Sequence, residues 1–124
     1  MRRGTMTILV AVLLAVFGGV QVATATQRLT EPAAKHYIKK AMKHEFGSAF
    51  KYGNGKRIRD CKRLSRIRMR CTVSWGIGDS GYSGKVAIWY RGPYYLYRYR
   101  LKVVNEYCID TGGSNCTDVV SGSS

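Results

Sequence analysis

Apolar and polar residues alternate without a break from Arg66 to Trp75. A period of two is typical of a β-strand with one buried face and one solvent-exposed face. The positions predicted to point into a core are Ile67, Met69, Cys71, Val73 and Trp75. The positions predicted to point to solvent are Arg66, Arg68, Arg70, Thr72 and Ser74. The pattern therefore predicts a strand that supplies a core on one side and shows arginines to water on the other.

A helical pattern precedes this strand. Its apolar residues recur at intervals of three and four, at Ala34, Tyr37, Ile38, Ala41, Met42 and Phe46. Thr30 is a suitable N-cap, and Pro32 is tolerated in the first turn of a helix. Gly47 is a typical stop signal. We predict one amphipathic helix over 32–46, with an apolar stripe that packs on a sheet.

Three more strands are predicted. The segment 56–64 is irregular, because Ile58 and Cys61 have opposite parity, and we expect a β-bulge there. The segment 82–91 has a predicted inward set of Tyr82, Gly84, Val86, Ile88 and Tyr90. The segment 94–105 carries on one face Tyr95, Tyr97, Tyr99, Leu101 and Val103.

The connections between these strands are short, with a turn-rich loop over 76–81 and a turn at Gly92-Pro93. Short connections favour antiparallel neighbours. The fold class is therefore predicted as α+β, with one N-terminal helix packed on a four-stranded antiparallel meander. Residues 26–117 are expected to form this single domain, and residues 118–124 a flexible, frayed tail.

The first 25 residues have the pattern of a secretory signal peptide. Two arginines precede an apolar run from Ile8 to Phe17, and the string Ala-Thr-Ala at 23–25 matches a cleavage site. The alternative is an uncleaved membrane anchor, but a full span needs about 20 apolar residues, more than this run contains. We predict a secreted, extracellular protein that meets the membrane only transiently, through its signal peptide.

Four cysteines in an exported chain favour two disulfides, for which three pairings are possible. We favour Cys61–Cys71 and Cys108–Cys116, because each pair closes a short local loop. The alternative is a set of free buried thiols. The domain is thus expected to be stapled by disulfides.

The chain carries 21 Lys and Arg residues against seven Asp and Glu residues, a net charge of +14. Without residues 1–25, 19 basic residues stand against seven acidic ones, a net charge of +12. A charge of this size attracts polyanions such as nucleic acid, wall polymers or an acidic protein. The alternative is that the charge serves solubility alone.

Basic residues at the outward strand positions are expected to gather on one face of the sheet. Like charges close together on a sheet repel, so a chain that tolerates them gains from an anionic partner. Arginine can grip phosphate or carboxylate with two hydrogen bonds, and tryptophan can stack on a base. The candidate binding residues are Arg68, Arg70, Lys85, Trp89, Arg98 and Arg100. The alternative is a solvated face without a ligand.

Groups suited to catalysis are few. The string Gly-Asp-Ser-Gly at 78–81 is found around the nucleophile of trypsin-like proteases, but that serine needs a base within reach. The only histidines, His36 and His44, lie on the predicted helix, so we interpret 78–81 as a turn. The same histidines with Glu45 could act as acid and base in a secreted nuclease. No metal site is predicted, because the chain has only two histidines and its cysteines are better assigned to disulfides. No catalytic residue and no cofactor are predicted.

Five tyrosines cluster near the third turn and the fourth strand: Tyr90, Tyr94, Tyr95, Tyr97 and Tyr99. They could form a carbohydrate or peptide platform. We favour a core and rim built from tyrosine, which is common in β-rich folds.

Three strings carry a resemblance, at residues 61–75 (CKRLSRIRMRCTVSW), 82–84 (YSG) and 105–108 (NEYC). Together they resemble small exported proteins of unknown function from high-GC Gram-positive bacteria, over about residues 30–108. The resemblance implies a bacterial secreted protein and supplies no catalytic residues. In architecture alone, the element order is similar to the repeat unit of β-lactamase inhibitory proteins and to PepSY-type inhibitory modules.

The sequence favours a binding protein over an enzyme. The first hypothesis is a secreted cationic module that recognises an anionic polymer or an acidic protein through the basic sheet face. The second is an inhibitor of a secreted enzyme that inserts the loop 76–81 into a cleft. The third is a secreted nuclease.

Overall fold

A computed structural model describes residues 28–124, and the predicted signal peptide lies outside them. The elements follow the chain as α1 (Glu31–Phe46), α2 (Ser48–Lys51), β1 (Asn54–Ser65), β2 (Arg68–Ile77), β3 (Ser80–Arg91), β4 (Tyr94–Asn105), α3 (Glu106–Asp110) and β5 (Thr117–Ser123). The five strands form one sheet in the order β1-β2-β3-β4-β5, and every neighbouring pair is antiparallel. The predicted α+β class is confirmed.

The helix α1 begins and ends at the predicted signals. The Thr30 side chain accepts a hydrogen bond of 3.3 Å from the backbone N–H of Ala33, which satisfies one of the free donors of the first turn. Gly47 ends the helix with a φ of 54°, a backbone angle that glycine adopts without strain. The four helix residues that are buried against the sheet are Ala34, Ile38, Ala41 and Met42.

The core lies between α1 and the face of the sheet that the alternation pattern identifies. Met69, Cys71, Val73 and Trp75 are buried on β2, as predicted. Ile67 is not, since it is 40% exposed in the turn between β1 and β2, where its carbonyl accepts a hydrogen bond from Tyr90 N–H. The core also takes Val86 and Ile88 from β3, and Tyr97, Tyr99 and Leu101 from β4.

The segment between α1 and β1 contains a helical turn that the sequence pattern did not predict. After Gly47 reverses the chain, the single turn α2 turns Phe50 into the core, where its ring centroid lies 4.9 Å from that of Trp75. Edge-to-face contacts of this kind stabilise an aromatic cluster beyond the area they bury. The turn is too short for its periodicity to be recognised in the sequence.

The prediction of a four-stranded sheet with a frayed tail over 118–124 is wrong. Thr117–Ser123 form β5, which pairs with β4 from Val104↔Thr117 to Arg98↔Ser123. The strand forms because the edge of β4 offers unpaired backbone groups, and because Val120 packs against the core. The domain therefore continues through residue 123.

The expected irregularity of β1 is confirmed. Its register against β2 shifts at three places, and Asp60 has a φ of 52°, in the left-handed region that non-glycine residues rarely adopt. The disulfide Cys61–Cys71 crosses from the bulged part of β1 to the buried face of β2. The second disulfide, Cys108–Cys116, joins α3 to the start of β5. Both pairs are the predicted ones.

Candidate functional site

The outer face, defined here as the side of the sheet that points away from α1, consists of the residues that alternate with the core residues. The register of β2, β3 and β4 sets these residues in rows across the sheet. Two adjacent rows read Arg70–Ala87–Arg98 and Thr72–Lys85–Arg100. These two adjacent rows therefore contain four of the six candidate binding residues.

The edge strand β1 adds cations that the sequence analysis missed. Arg57, Arg59 and Lys62 lie opposite outward positions of β2 and are exposed. These cations could not be assigned to a face from the sequence. In a strand whose register shifts, the side chains do not alternate regularly between the two faces of the sheet. The Lys and Arg residues at outward positions of the sheet are Arg57, Arg59, Lys62, Arg68, Arg70, Lys85, Arg91, Arg98, Arg100 and Lys102.

Acidic residues are absent from the outward positions of four of the five strands. Across residues 68–123, no outward position of β2, β3, β4 or β5 carries a carboxylate. In the described part of the chain, one ion pair forms, between Arg59 Nε and Asp60 Oδ2 at 3.8 Å, and both side chains are exposed. An exposed pair of this length contributes little. The positive charges around Ala87 are therefore left to solvent ions or to a partner.

A shallow groove of about 470 Å³ lies on the outer face. Ala87 forms its floor, because a methyl group stands between the long side chains of Arg70 and Arg98 in the same row. Lys85 and Arg100 line it from the next row, and the serines and glycine of β5 line its far end. The groove can therefore present several guanidinium and ammonium donors to one anionic group or chain.

Two of the groups on the outer face are oriented by neighbours. Lys85 Nζ donates a hydrogen bond of 2.7 Å to Thr72 Oγ1, which fixes the ammonium at the groove and leaves its other protons free. The Arg68 guanidinium lies 4.5 Å from the Trp89 ring centroid, in a cation–π contact. Trp89 thus holds an arginine on its ring, and the open stacking platform expected from the sequence is partly occupied. Both residues lie one row away from the groove.

Three of the five clustered tyrosines, Tyr95, Tyr97 and Tyr99, join the sheet to the helix, as a core and rim of tyrosine would, whereas Tyr94 is 70% exposed. Tyr37 of α1 stacks on Tyr95 with ring centroids 3.6 Å apart. The Glu45 carboxylate accepts hydrogen bonds from the hydroxyls of Tyr97 and Tyr99, the latter at 3.2 Å. Burial raises the pKa of Tyr97 and of Tyr99 above the ordinary value, and Glu45 raises both further. Glu45 therefore anchors α1 on β4, a structural role.

The other candidates from the sequence are the loop over 76–81 and the two histidines of α1. The loop predicted over 76–81 is reduced to the two residues Gly78 and Asp79, since β2 ends at Ile77 and β3 begins at Ser80. The string Gly-Asp-Ser-Gly is thus a tight turn, as interpreted. The histidines of α1 are exposed on the helix surface.

A second groove, of about 390 Å³, lies between α1 and β1. Lys35, Lys39 and Lys56 surround a floor that includes Phe50, and His36 also lines it. The Lys56 ammonium lies 5.3 Å from the Phe50 ring centroid and donates to the carbonyl of Lys51. This groove is basic but is built around one side chain of the core, and its cations are fewer than those of the outer face.

Between residues 28 and 124, no three His, Cys, Asp or Glu residues are grouped so that they could hold a metal ion. Over the same residues, none of the helices has the length and apolar character needed to cross a membrane. Comparison with protein-family models, with curated proteins and with solved structures finds no match to this chain. The outer face and its groove are therefore the basis on which a function is argued.

Proposed function

We propose that the protein is a secreted cationic binding module that holds an anionic macromolecule on its outer face. The observation that carries the proposal is the gathering of ten Lys and Arg residues at outward positions of one sheet, with no carboxylate at the outward positions of β2–β5. Arg70, Lys85, Arg98 and Arg100 are the contact residues, and Arg68 held on Trp89 extends the surface.

The chemistry of the groove favours an extended anion over a small one. Its cations come from three adjacent strands: Arg70 from β2, Lys85 from β3, and Arg98 and Arg100 from β4. A chain of phosphates or carboxylates that lies in the groove meets them in succession. Arginine provides paired donors that match phosphate and carboxylate oxygens. Each neutralised anionic group releases a counterion, and affinity is therefore expected to fall steeply with salt.

The test compares two variants that lose the same charge. In the face variant, Arg68, Arg70, Arg98 and Arg100 are changed to alanine; in the helix variant, four lysines of α1 are changed to alanine, at 35, 39, 40 and 43. Binding of fluorescent polyphosphate, single-stranded DNA and polyglutamate is measured by anisotropy across a salt series, with the oxidised protein.

We expect the face variant to lose at least tenfold in affinity and the helix variant to lose little, because only the first removes the row partners of Ala87. The slope of log affinity against log salt should also become shallower in the face variant. Equal losses in the two variants would mean that net charge acts without a site. Affinity that does not change with salt would contradict the proposal.

Export is part of the proposal, supported by the pattern of residues 1–25 and by two disulfides that persist in oxidising compartments. Mass measurement of protein recovered outside the cells of a secreting bacterial host should give a chain that begins near Thr26. Recovery of the full chain in the membrane fraction would contradict this part.

No specific observation favours the two other hypotheses. An inhibitor that inserts a loop into a cleft needs a loop longer than the two-residue turn at Gly78 and Asp79. A nuclease needs an acid and a base that face one substrate group. The anionic-partner function is therefore the one that the geometry supports best.

A further inference from the structure

The strand β5 leaves half of its backbone groups without a strand partner. Asn105 N–H donates to the Cys116 carbonyl at one end of the β4–β5 pair, and Ser124 N–H donates to the Tyr97 carbonyl at the other. Hydrogen-bonded pairs alternate in an antiparallel ladder. The N–H and C=O groups that point away from β4 are therefore those of Thr117, Val119, Ser121 and Ser123. In the described residues, no strand covers this edge.

The two edges of the sheet differ in how they are protected. Natural edge strands avoid unwanted pairing with bulges, prolines and charged side chains. β1 has three register shifts and many cations, and it cannot offer a regular ladder. β5 pairs with β4 in constant register and carries one charged residue, Asp118, at an inner position opposite Val103. The Asp118 carboxylate accepts a hydrogen bond of 2.9 Å from Val119 N–H, one of the outward donors. The β5 edge is therefore regular and, apart from Val119 N–H, open.

The cations of the outer face lie within reach of a strand added at this edge. Strands in a sheet lie about 4.8 Å apart, so an added strand would lie about 9.6 Å from β4. Ser121 and Ser123 stand between the two, and they line the same groove as Arg98 and Arg100. Because serine is short, an extended arginine can pass over it to meet an extended glutamate of the added strand.

The spacing of outward side chains along an added strand also matches the spacing of the cations on β4. Outward residues recur about every 6.8 Å along any strand, so every second side chain of an added strand falls in step with Arg98, Arg100 and Lys102. A second copy of this chain fits poorly at this edge, because it brings the same cations and its β5 supplies only one carboxylate. A partner with acidic residues at alternate positions complements both the backbone and the charge.

We propose that the β5 edge accepts an extended segment of an acidic partner protein as a sixth strand, with Asp or Glu at every second position directed over Ser121 and Ser123 toward Arg98 and Arg100. Addition of a strand to an open edge is a general mode of peptide recognition, in which backbone hydrogen bonds give affinity and alternate side chains give specificity. This inference rests on the proposed function and names its partner.

The probe is a labelled ten-residue peptide that alternates Glu and Thr, with a control peptide in which five Glu precede five Thr. The protein variants are Ser121→Pro and Ser121→Ala. Ser121 N–H points away from β4, so proline removes only an outward donor and is tolerated at an edge, while alanine keeps that donor. Polyphosphate binding is measured in parallel for every variant.

We expect the alternating peptide to bind at least tenfold more tightly than the control peptide. Ser121→Pro should lose at least tenfold in peptide affinity and Ser121→Ala less than twofold. The two variants should bind polyphosphate equally, because both lose the same hydroxyl from the groove. On the unchanged protein, peptides N-methylated at all Glu amides or at all Thr amides should differ, because only one set faces β5. The set that abolishes binding reports the strand direction.

Equal binding of the two peptides, or equal effects of the two methylation patterns, would overturn the inference while leaving the outer-face function intact. A wild-type dimer in sedimentation that Ser121→Pro converts to monomer would also overturn it, because a second copy would then occupy the edge. If the variant Arg98→Ala/Arg100→Ala keeps full polyphosphate affinity, the proposed function fails. If peptide binding nevertheless depends on the backbone amides of the peptide, the β5 edge binds a strand independently of the proposed function.

Discussion

The two faces of the sheet are built from the same strands and have opposite compositions. On β3, Val86 and Ile88 are almost completely buried against α1, while Lys85 between Gly84 and Val86 is exposed on the other side. Each strand therefore contributes alternate residues to a core and to a charged surface. Because the two sets share a backbone but few contacts, stability and binding should respond to different substitutions.

The largest expected effect comes from the inner face. Ile88→Ala removes a side chain that is 1% exposed, and such truncations cost about 2–5 kcal/mol. That is a large fraction of the stability of a small domain. Urea unfolding should give this loss, while Lys85→Ala on the outer face of the same strand should stay within about 0.5 kcal/mol. Similar losses in both variants would remove the distinction between the faces.

The second largest effect on stability is expected from removal of the disulfide between β1 and the buried face of β2. Replacing Cys61 and Cys71 with alanine should lower the free energy of unfolding by about 2–4 kcal/mol. The pair Cys108 and Cys116 closes a loop in an exposed region, so its removal should cost less than the removal of Cys61–Cys71, in which Cys71 is fully buried. Denaturation of both double variants, each with the other disulfide intact, gives the order. The reverse order would mean that β1 does not depend on this link.

Gly84 is an inner-face position where the two faces are expected to be coupled. A Cβ there would collide with the carbonyl of Arg100 and lie 2.8 Å from Leu101 Cα, so β3 and β4 would have to move apart. Gly84→Ala should lower stability by about 1–3 kcal/mol, as overpacking does. It should also weaken polyphosphate binding of the folded protein, since the backbone that carries Arg100 moves. Lost stability with unchanged affinity would show that the faces are independent even here.

The smallest expected effect is on the outer face. Arg70→Gln with Arg98→Gln removes two like charges from the row around Ala87, so the free energy of unfolding at low salt should stay equal or rise by up to about 1 kcal/mol. The gain should shrink at high salt, where screening already weakens the repulsion. Lys39→Gln with Lys40→Gln on α1 is the charge-matched control. A loss of stability in the arginine variant, absent from the control, would mean that these arginines support the fold.

Regular alternation allowed most of the inner and outer positions of β2, β3 and β4 to be predicted from sequence. Where a register or turn is set by tertiary contacts, alternation along one segment does not predict it. Ile67 fits the period of β2 but falls in a turn. β5 has little alternation to detect, because its pairing depends on the backbone of β4 and on Val120.

The candidate site could also be predicted only in part from the sequence. The candidates on β2, β3 and β4 share one face because strict parity fixes them. Neither the pairing of Arg68 with Trp89 nor the groove floor at Ala87 follows from one strand alone, since both depend on cross-strand register. The cations of β1 were missed because each bulge changes the parity of the residues after it.

The bulged strand β1 has one more consequence, which concerns growth. A protein whose sheet is regular at both ends can extend from molecule to molecule, as a fibre does. Here one end is closed by shifted register and by charge. Because β1 cannot accept a strand, molecules of this protein cannot add edge to edge in series, and a strongly cationic protein can keep the β5 edge open without the hazard of polymerisation.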